Sequence, residues 1–319
     1  MSQRNLVKLQ LNELKQKWQQ LQDLPNIFAY RLNVSKSRYL PGKHKFYAEL
    51  NPERTALRRP PQTIASLDPC FDEDKFNFNK IKPEECLMLI PYHEQSSISM
   101  IINNSPLTLY HTLICPNVAQ CLPQRITLEA LSFCVDFLMA LLQQGELNFR
   151  IGYNSPGALA SVNHLHLHLM YIEKDIYVDH VKLQLLTHPD IYRLDETMPT
   201  EAICFQINTE DSEALKIEKL QRLNEFLQWL CNNNMPHNLF LTPERGQQQG
   251  KPLKVFVYVR KEYCFVKNVN TYNIGFCELA GYMPVGAPQL YDQLNESEAI
   301  ERINKETGDV FSKIYSYFQ

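Results

Sequence analysis

Three features that would indicate a membrane, secreted or nucleic-acid-binding protein are missing from this 319-residue chain. No apolar run approaches the roughly 18 residues that a membrane-spanning helix requires. The first 25 residues carry Lys8, Lys15 and Lys17 among glutamines and lack the apolar stretch of a secretory signal. The net charge of −3 offers no electrostatic attraction for nucleic acid or an anionic membrane surface. We therefore expect a cytoplasmic protein with neither nucleic acid nor a membrane as its partner.

Paired cysteines are also missing, because the nine cysteines are scattered and none belongs to a C-x-x-C pair. This pattern is typical of reduced thiols, so we expect neither a disulfide framework nor a structural zinc site. A composition of 44% hydrophobic and 21% charged residues is that of a folded globular protein. The length predicts one large domain or two coupled domains.

Helical and strand-like periods alternate along the first half of the chain. Residues 5–24 place apolar side chains on one helical face as far as Pro25. A second helix is predicted at residues 127–143, with Thr127 as its N-cap and Gly145 beyond its end. Strands are predicted at residues 45–50, 86–90, 98–103, 109–115, 147–153 and 162–172.

The second half repeats this outline at a spacing of roughly 100 residues, which predicts a degenerate internal duplication. We therefore expect an α+β fold whose two pseudo-repeats form one body. The predicted parts are an N-terminal helix and lead-in (1–39), a first domain (40–195) and a second domain (196–319). The predicted elements of the second half are a strand at 203–207, a helix at 213–231, strands at 239–241 and 255–259, and a final helix at 296–318 that Gly308 interrupts.

Three histidines alternate with three leucines in the predicted strand 162–172. Because successive side chains of a strand point to opposite faces, the imidazoles share one face and the leucines the other. The leucine face is expected to pack on a core, so the imidazole face requires a pocket, a ligand or water. The histidines are His164, His166 and His168, and the leucines are Leu165, Leu167 and Leu169.

Such a row of imidazoles has three interpretations: a metal site, a structural polar seam, or nucleophilic catalysis in which one imidazole attacks phosphorus. A metal cage on one strand is awkward, because His164 and His168 are about 13 Å apart by strand rise. No further ligand suggests itself. The turn 154–157 (Asn-Ser-Pro-Gly) and Ser161 upstream are small and polar, so a phosphate could approach them closely. These neighbours favour the nucleophile. Arg58 and Arg59 belong either to an exposed loop or to a phosphate contact.

The segment His-Leu-His-Leu-His-Leu-Met resembles the signature of the histidine triad superfamily. Asn154 and Ser161 occupy positions where those proteins have asparagine and serine, and His111 lies in a stretch similar to their Gly-His-x-Leu element. Tyr110 replaces the usual glycine there, which leaves the conformation of that turn open. The resemblance implies a histidine-triad-like antiparallel sheet with packed helices.

A longer, ordered set of blocks resembles the GDP-D-glucose phosphorylase family in particular. His168 agrees with the animal members, whereas the related plant GDP-L-galactose phosphorylases have glutamine at this position. The matching blocks are residues 58–62, 76–81, 121–125, 154–168, 237–240 and 277–281.

The resemblance implies conversion of GDP-D-glucose and phosphate to GDP and glucose 1-phosphate, without a cofactor or metal. His166 would be the nucleophile that becomes guanylylated, and His164 and His168 would donate hydrogen bonds to phosphate oxygens. Ser161 completes the catalytic set. The resemblance leaves the oligomeric state open. Its substrate-binding candidates are Asn154, Ser155, Gly157, His111, Lys80 and Arg125, with His237 and Asn238, which could equally cap the preceding helix, as weaker ones.

Two other functions stay open on the triad alone. A nucleotide hydrolase of broad range would use water instead of phosphate, and a non-catalytic nucleotide-binding protein would bind GDP without turnover.

Overall fold

The computed structural model describes residues 3–57, 59–93, 96–186, 188–245, 252–265 and 273–319, with the side chains of residues 3–10, 55 and 56 excepted. Arg58, one of the two arginines considered for a phosphate contact, lies outside the described residues. Among the helices described, none combines the length and apolarity that crossing a bilayer demands.

Helices and strands alternate along the described chain much as the periodicity predicts. The helices are α1 (Gln3–Leu21), α2 (Pro52–Leu57), α3 (Leu128–Leu142), α4 (Glu213–Asn232), α5 (Phe276–Leu279), α6 (Pro288–Gln293), α7 (Glu296–Thr307) and α8 (Phe311–Ile314). The strands are β1 (Lys36–Tyr39), β2 (Tyr47–Leu50), β3 (Cys86–Pro91), β4 (Ser97–Ile102), β5 (Thr112–Pro116), β6 (Phe149–Asn154), β7 (Leu167–Tyr171), β8 (Leu183–Leu185), β9 (Ile191–Leu194), β10 (Ile203–Ile207), β11 (His237–Pro243), β12 (Leu253–Val259) and β13 (Tyr282–Val285).

A ten-stranded sheet forms the centre of the molecule, in the order β3-β4-β5-β7-β6-β11-β12-β10-β9-β8. Every neighbouring pair in it is antiparallel, so the predicted antiparallel sheet with packed helices is confirmed. Residues 86–171 supply the five strands on one side, and residues 183–259 supply the other five. β6 and β11 meet at the middle, where Asn154 lies opposite Asn238.

A second, three-stranded sheet joins the beginning of the chain to its end. Its order is β1-β2-β13, and β13 runs parallel to β2. Because this pairing crosses between the two predicted domains, the boundaries at residues 40 and 196 stay a prediction.

Both faces of the large sheet are covered by apolar packing. Side chains of α1, α3 and α4 pack on the face that carries Leu165, Leu167 and Leu169, all of which are fully buried. Burying one leucine contributes roughly 1.5–3 kcal/mol, so these three side chains anchor the histidine segment to the core. The leucine half of the alternating pattern is therefore confirmed.

The helices begin and end close to the predicted signals. The Thr127 hydroxyl accepts a hydrogen bond from Ala130 N at 3.2 Å, as expected for the N-cap of α3. Helix α1 ends at Leu21, before Pro25, and buries Trp18 completely. The final helix is interrupted at Gly308 as predicted, and a separate short helix, α8, follows it.

The predicted strand 162–172 is too long at its beginning. Strand β7 begins only at Leu167, and residues 162–164 form a bend. His164 and His166 therefore lie in irregular chain before the strand, and His168 is the histidine on β7. Buried leucines alternate from the irregular chain into strand β7, because both pack on the same core.

Candidate active site

A cavity of about 680 Å³ opens beside the histidine segment. Five of the residues predicted for the site line it, namely His166, His168, His111, Asn154 and Ser161. Its other lining residues include two arginines, two glutamates and an apolar group that comprises Phe76, Phe78, Ile81, Ile101 and Leu113.

The turn after β6 brings the chain back toward the histidines. Gly157 has φ +70°, and a Cβ added there would lie 2.5 Å from the ring of Tyr263. The Ser155 hydroxyl accepts a hydrogen bond from His237 N at 2.9 Å. Ser155 and Gly157, predicted to bind substrate, do not line the cavity, and these contacts show that they shape the turn.

The orientation of His166 follows from one hydrogen bond. Its Nδ1 lies 2.8 Å from the carbonyl oxygen of His164. A carbonyl oxygen can only accept, so Nδ1 carries the proton and the lone pair of the ring is on Nε2. An imidazole held in this tautomer beside a cavity is suited to nucleophilic attack through Nε2.

Gln124 holds the backbone of His166 from both sides. Its Oε1 accepts from His166 N at 2.9 Å, and its Nε2 donates to His166 O at 3.1 Å and to Asn154 O at 3.0 Å. The side chain is fully buried. Sequence reasoning missed Gln124 and chose its neighbour Arg125, although both lie in the same matching block.

His111 determines the tautomer of His168. His111 Nδ1 accepts a hydrogen bond from Leu107 N at 2.9 Å, and His111 Nε2 lies 3.0 Å from His168 Nδ1. Complete burial, with smaller effects of Arg54 and His166, holds the pKa of His111 well below its usual range. Neutral His111 therefore carries its proton on Nε2, and this N–H donates a hydrogen bond to His168 Nδ1. As a result, the proton of neutral His168 is on Nε2. The Asn103 amide nitrogen is also near His111 Nε2, at 3.1 Å.

Phe276 packs against the His168 ring, with ring centroids 5.1 Å apart. Gly152 lies opposite His168 on the neighbouring strand. A Cβ at Gly152 would lie 2.0 Å from the Phe276 ring, so only glycine allows this packing.

The ring of His164 does not take the position expected of a phosphate donor. Its Nδ1 accepts from Phe78 N at 3.1 Å, and the rings of Phe71 and Phe78 pack against it. Burial lowers the pKa of His164 to about 4, with the Val118 backbone acting in the opposite direction. The ring does not line the cavity, and the contribution of His164 is the carbonyl that anchors His166.

Asn154 connects the two halves of the sheet. Its Oδ1 accepts from the Asn238 amide at 2.6 Å and from Phe276 N at 3.3 Å. The Asn154 amide group is therefore oriented as a donor within the cavity lining. His237 and Asn238 are buried on β11, so the prediction that they could cap the preceding helix is wrong.

Two arginines give the cavity positive charge. Arg59, considered for phosphate contact, has its guanidinium 3.3 Å from the ring centre of Phe76. Arg54 on α2 donates to Ser105 O at 2.7 Å and was not identified from the sequence. Guanidinium groups are well suited to bind phosphate oxygens.

Two predicted substrate-binding residues lie elsewhere. Lys80 donates to the carbonyls of Asp74 and Lys75, at 3.1 and 3.0 Å. Arg125 donates to the Gln228 side chain and to Asp68 at 3.0 Å. Neither lines the cavity, and both hold neighbouring segments through these contacts. Within the described residues, no cluster of three histidine, cysteine or acidic side chains could hold a metal ion.

The chain matches two family models along most of its length. Residues 10–170 match "GDPGP1-like, N-terminal domain", and residues 190–309 match "GDPGP1-like, C-terminal domain". GDP-D-glucose phosphorylase 1 of Homo sapiens is 35% identical over 303 residues, covering 90% of this chain and 76% of the relative. GDP-L-galactose phosphorylase 1 of Arabidopsis thaliana is 28% identical over 68% of this chain and 51% of that protein.

The fold is similar to that of a solved structure, yeast Ap4A phosphorylase Apa2 in complex with Ap4A. The TM-score is 0.66 at 14% identity, covering 92% of this chain and 97% of the other. The overall fold is thus shared with a protein that has little sequence in common. With the two family models and the identity to the human protein, it follows that this chain belongs to the GDP-D-glucose phosphorylase family.

Proposed function

We propose that the chain is a nucleotidyltransferase that converts GDP-D-glucose and phosphate to GDP and glucose 1-phosphate. The observation that carries this proposal is the bond between His166 Nδ1 and His164 O, which leaves the Nε2 lone pair as the nucleophile. The names of the relatives support the choice of a GDP-hexose as substrate.

The first step is attack by His166 Nε2 on the α-phosphorus. The new N–P bond forms as the bond from phosphorus to the bridging oxygen breaks, and glucose 1-phosphate leaves with that oxygen. The Nδ1 proton stays on the imidazole, where the His164 carbonyl stabilises the positive charge that the ring acquires. In the second step a phosphate oxygen attacks the same phosphorus, GDP leaves, and neutral His166 is restored.

The remaining residues of the cavity act on the phosphate oxygens. His168 Nε2–H, the Asn154 amide and the Ser161 hydroxyl are donors that can stabilise the charge on the α-phosphoryl group. Arg54 offers positive charge to the flanking phosphates. The imidazoles and amides thus provide the stabilisation that a metal supplies in other phosphoryl-transfer sites.

The proposal includes the location of the enzyme in the cell and its division into domains. None of the nine cysteines forms a disulfide, which agrees with a reducing, cytoplasmic location. We keep residues 40–195 as the catalytic domain and residues 196–319 as its degenerate counterpart, with residues 1–39 as the lead-in.

The test is to trap the intermediate. The protein is incubated with GDP-D-glucose without phosphate, and intact-mass spectrometry is used to find an adduct of one GMP. The adduct is expected in the wild type and in His180→Ala, a matched exposed histidine, and should be missing from His166→Ala. An adduct that persists in His166→Ala would refute the assignment.

The products distinguish the other two functions. A hydrolase would release GMP at a rate independent of phosphate, whereas a phosphorylase releases GDP only when phosphate is present. A non-catalytic protein would bind GDP and turn over no GDP-hexose.

A further inference from the structure

The cavity extends sideways from the catalytic histidines across the sheet. His168 on β7 lies opposite Leu113 on β5, Leu113 lies opposite Ile101 on β4, and Ile101 lies opposite Cys86 on β3. Residues directly opposite each other share one face, and neighbouring strands are about 4.8 Å apart. The beginning of β3 is therefore three strand spacings, about 14 Å, from His168 on the same face.

This lateral part of the cavity is apolar and partly aromatic. Phe76, Phe78 and Ile81 line it together with Ile101 and Leu113. A planar base can stack on such a surface, since base–aromatic stacking needs no particular hydrogen-bond pattern. With the α-phosphorus at His166, a nucleoside that lies across the strands would direct its base toward β3.

Glu85, the residue before β3, lies at that end of the cavity and lines it. Its side chain is partly buried, and Oε1 accepts a hydrogen bond from Lys82 N at 3.1 Å, so the second oxygen remains able to accept further bonds. Burial lowers the pKa of the neighbouring Arg59, and the negative charge of Glu85 opposes this effect. Carboxylate and guanidinium line the same cavity and interact electrostatically.

The other acidic residue of the cavity lining, Glu278, has a structural hydrogen bond. Glu278 is buried and accepts from Gly275 N at 2.9 Å, where it holds the beginning of α5. Among the described lining residues, Glu85 and Glu278 are the two carboxylates. Glu85 is thus the acidic group that can reach a base.

We propose that Glu85 is the residue that selects guanine. A carboxylate only accepts hydrogen bonds, and the guanine edge presents two donors side by side, N1–H and the N2 amino group. Adenine presents a bare N1 at the same place, whose lone pair the carboxylate repels. Arg59 beside Glu85 supplies donors of the kind that match guanine O6. This inference rests on the proposed function only in placing a nucleotide α-phosphate at His166.

The test compares GDP, IDP and ADP binding by titration calorimetry in wild type and Glu85→Gln. IDP retains N1–H but lacks the N2 amino group. The difference between the GDP and IDP affinities therefore measures the contribution of the N2 amino group alone. The wild type is expected to bind GDP more tightly than IDP, and IDP more tightly than ADP. Glu85→Gln should lose roughly ten- to a hundredfold in GDP affinity, the range of hydrogen bonds to a charged group, and should retain ADP affinity. Retained ADP binding also demonstrates that the variant is folded.

Glu84→Gln is the matched control, because Glu84 is the exposed neighbour on the same short turn. It should bind all three nucleotides as the wild type does. Unchanged selectivity in Glu85→Gln, or a wild type that does not discriminate the three nucleotides, would overturn the inference. Phosphate-dependent release of GDP from GDP-D-glucose by the wild type is measured in parallel. Turnover with unchanged selectivity in the variant refutes Glu85 alone, whereas selective binding without turnover refutes only the proposed function.

Discussion

The side-chain amide of Gln124 makes both an acceptor and a donor hydrogen bond to the backbone of His166, at 2.9 and 3.1 Å. The same amide nitrogen reaches Asn154 O at 3.0 Å. One buried side chain thereby sets the relative positions of His166, the proposed nucleophile, and of Asn154 in the cavity lining. Gln124 does not line the cavity, so we regard it as a positioning residue.

Replacing Gln124 by methionine should slow catalysis without weakening substrate binding. The methionine fills a similar volume but leaves the His166 backbone unheld, and a displacement of about 1 Å can cost roughly a hundredfold in rate. We expect kcat to fall roughly ten- to a hundredfold with KM nearly unchanged. Gln120→Met on the exposed turn nearby is the control. A rise in KM at constant kcat would contradict the positioning role.

Replacing His111 should disturb His168 through its tautomer. In His111→Phe the Nδ1 of His168 loses its donor, so the His168 proton is no longer confined to Nε2. We expect kcat to fall about five- to tenfold, the value of one neutral hydrogen bond. His111→Gln retains an N–H donor and should recover part of the loss. Equal activities of the two variants would show that only the volume of His111 matters.

Tyr110 provides a test of left-handed backbone strain. It has φ +55°, in the left-handed region that favours glycine, and its ring packs against Trp18 and Tyr171. Tyr110→Ala loses the ring and keeps the strain, whereas Tyr110→Gly loses the ring and removes it. Both variants should be less stable than the wild type, and alanine should be worse than glycine by about 1 kcal/mol. Urea unfolding measures the order, and a more stable alanine variant would exclude strain at this position.

The buried His237 should make folding stability depend on pH. Burial lowers its pKa from 6.5 to about 4, so in that interval the unfolded chain binds a proton that the folded chain does not. The free energy of unfolding therefore falls as the pH drops from 6.5 to 4, by about 1.4 kcal/mol per pH unit at most for this group. His237→Phe should make the decline less steep. Identical slopes for the two proteins would contradict this prediction.

Local sequence patterns correctly predicted the structural features that depend only on residues close together in the chain. The alternating leucines, the Thr127 cap and the interruption at Gly308 are all signals within one element, and each is present. The start of β7 was placed too early because alternation continues through the bend before the strand, where the same core buries Leu165. A pattern of burial cannot distinguish strand from irregular chain when both pack on one surface.

The features of the site that the sequence did not predict depend on contacts between distant segments of the chain. The bonds from Gln124 to His166 and from Asn238 to Asn154 join residues 42 and 84 positions apart, and no local period encodes them. Lys80 and Arg125 lie in matching blocks, but membership of a matching block does not give the direction of a side chain. Gln124 was overlooked because a neutral amide between a proline and an arginine carries no chemical signal.

The bond between Asn154 and Asn238 has a consequence for protein synthesis. The ribosome completes the three histidines by residue 168, yet the side-chain oxygen of Asn154 accepts hydrogen bonds from Asn238 and Phe276, and the cavity lining extends to Leu290. A nascent chain that carries His164, His166 and His168 thus still lacks part of the cavity lining. We therefore expect the capacity to bind a nucleotide to arise only when the segment 273–290 has been made.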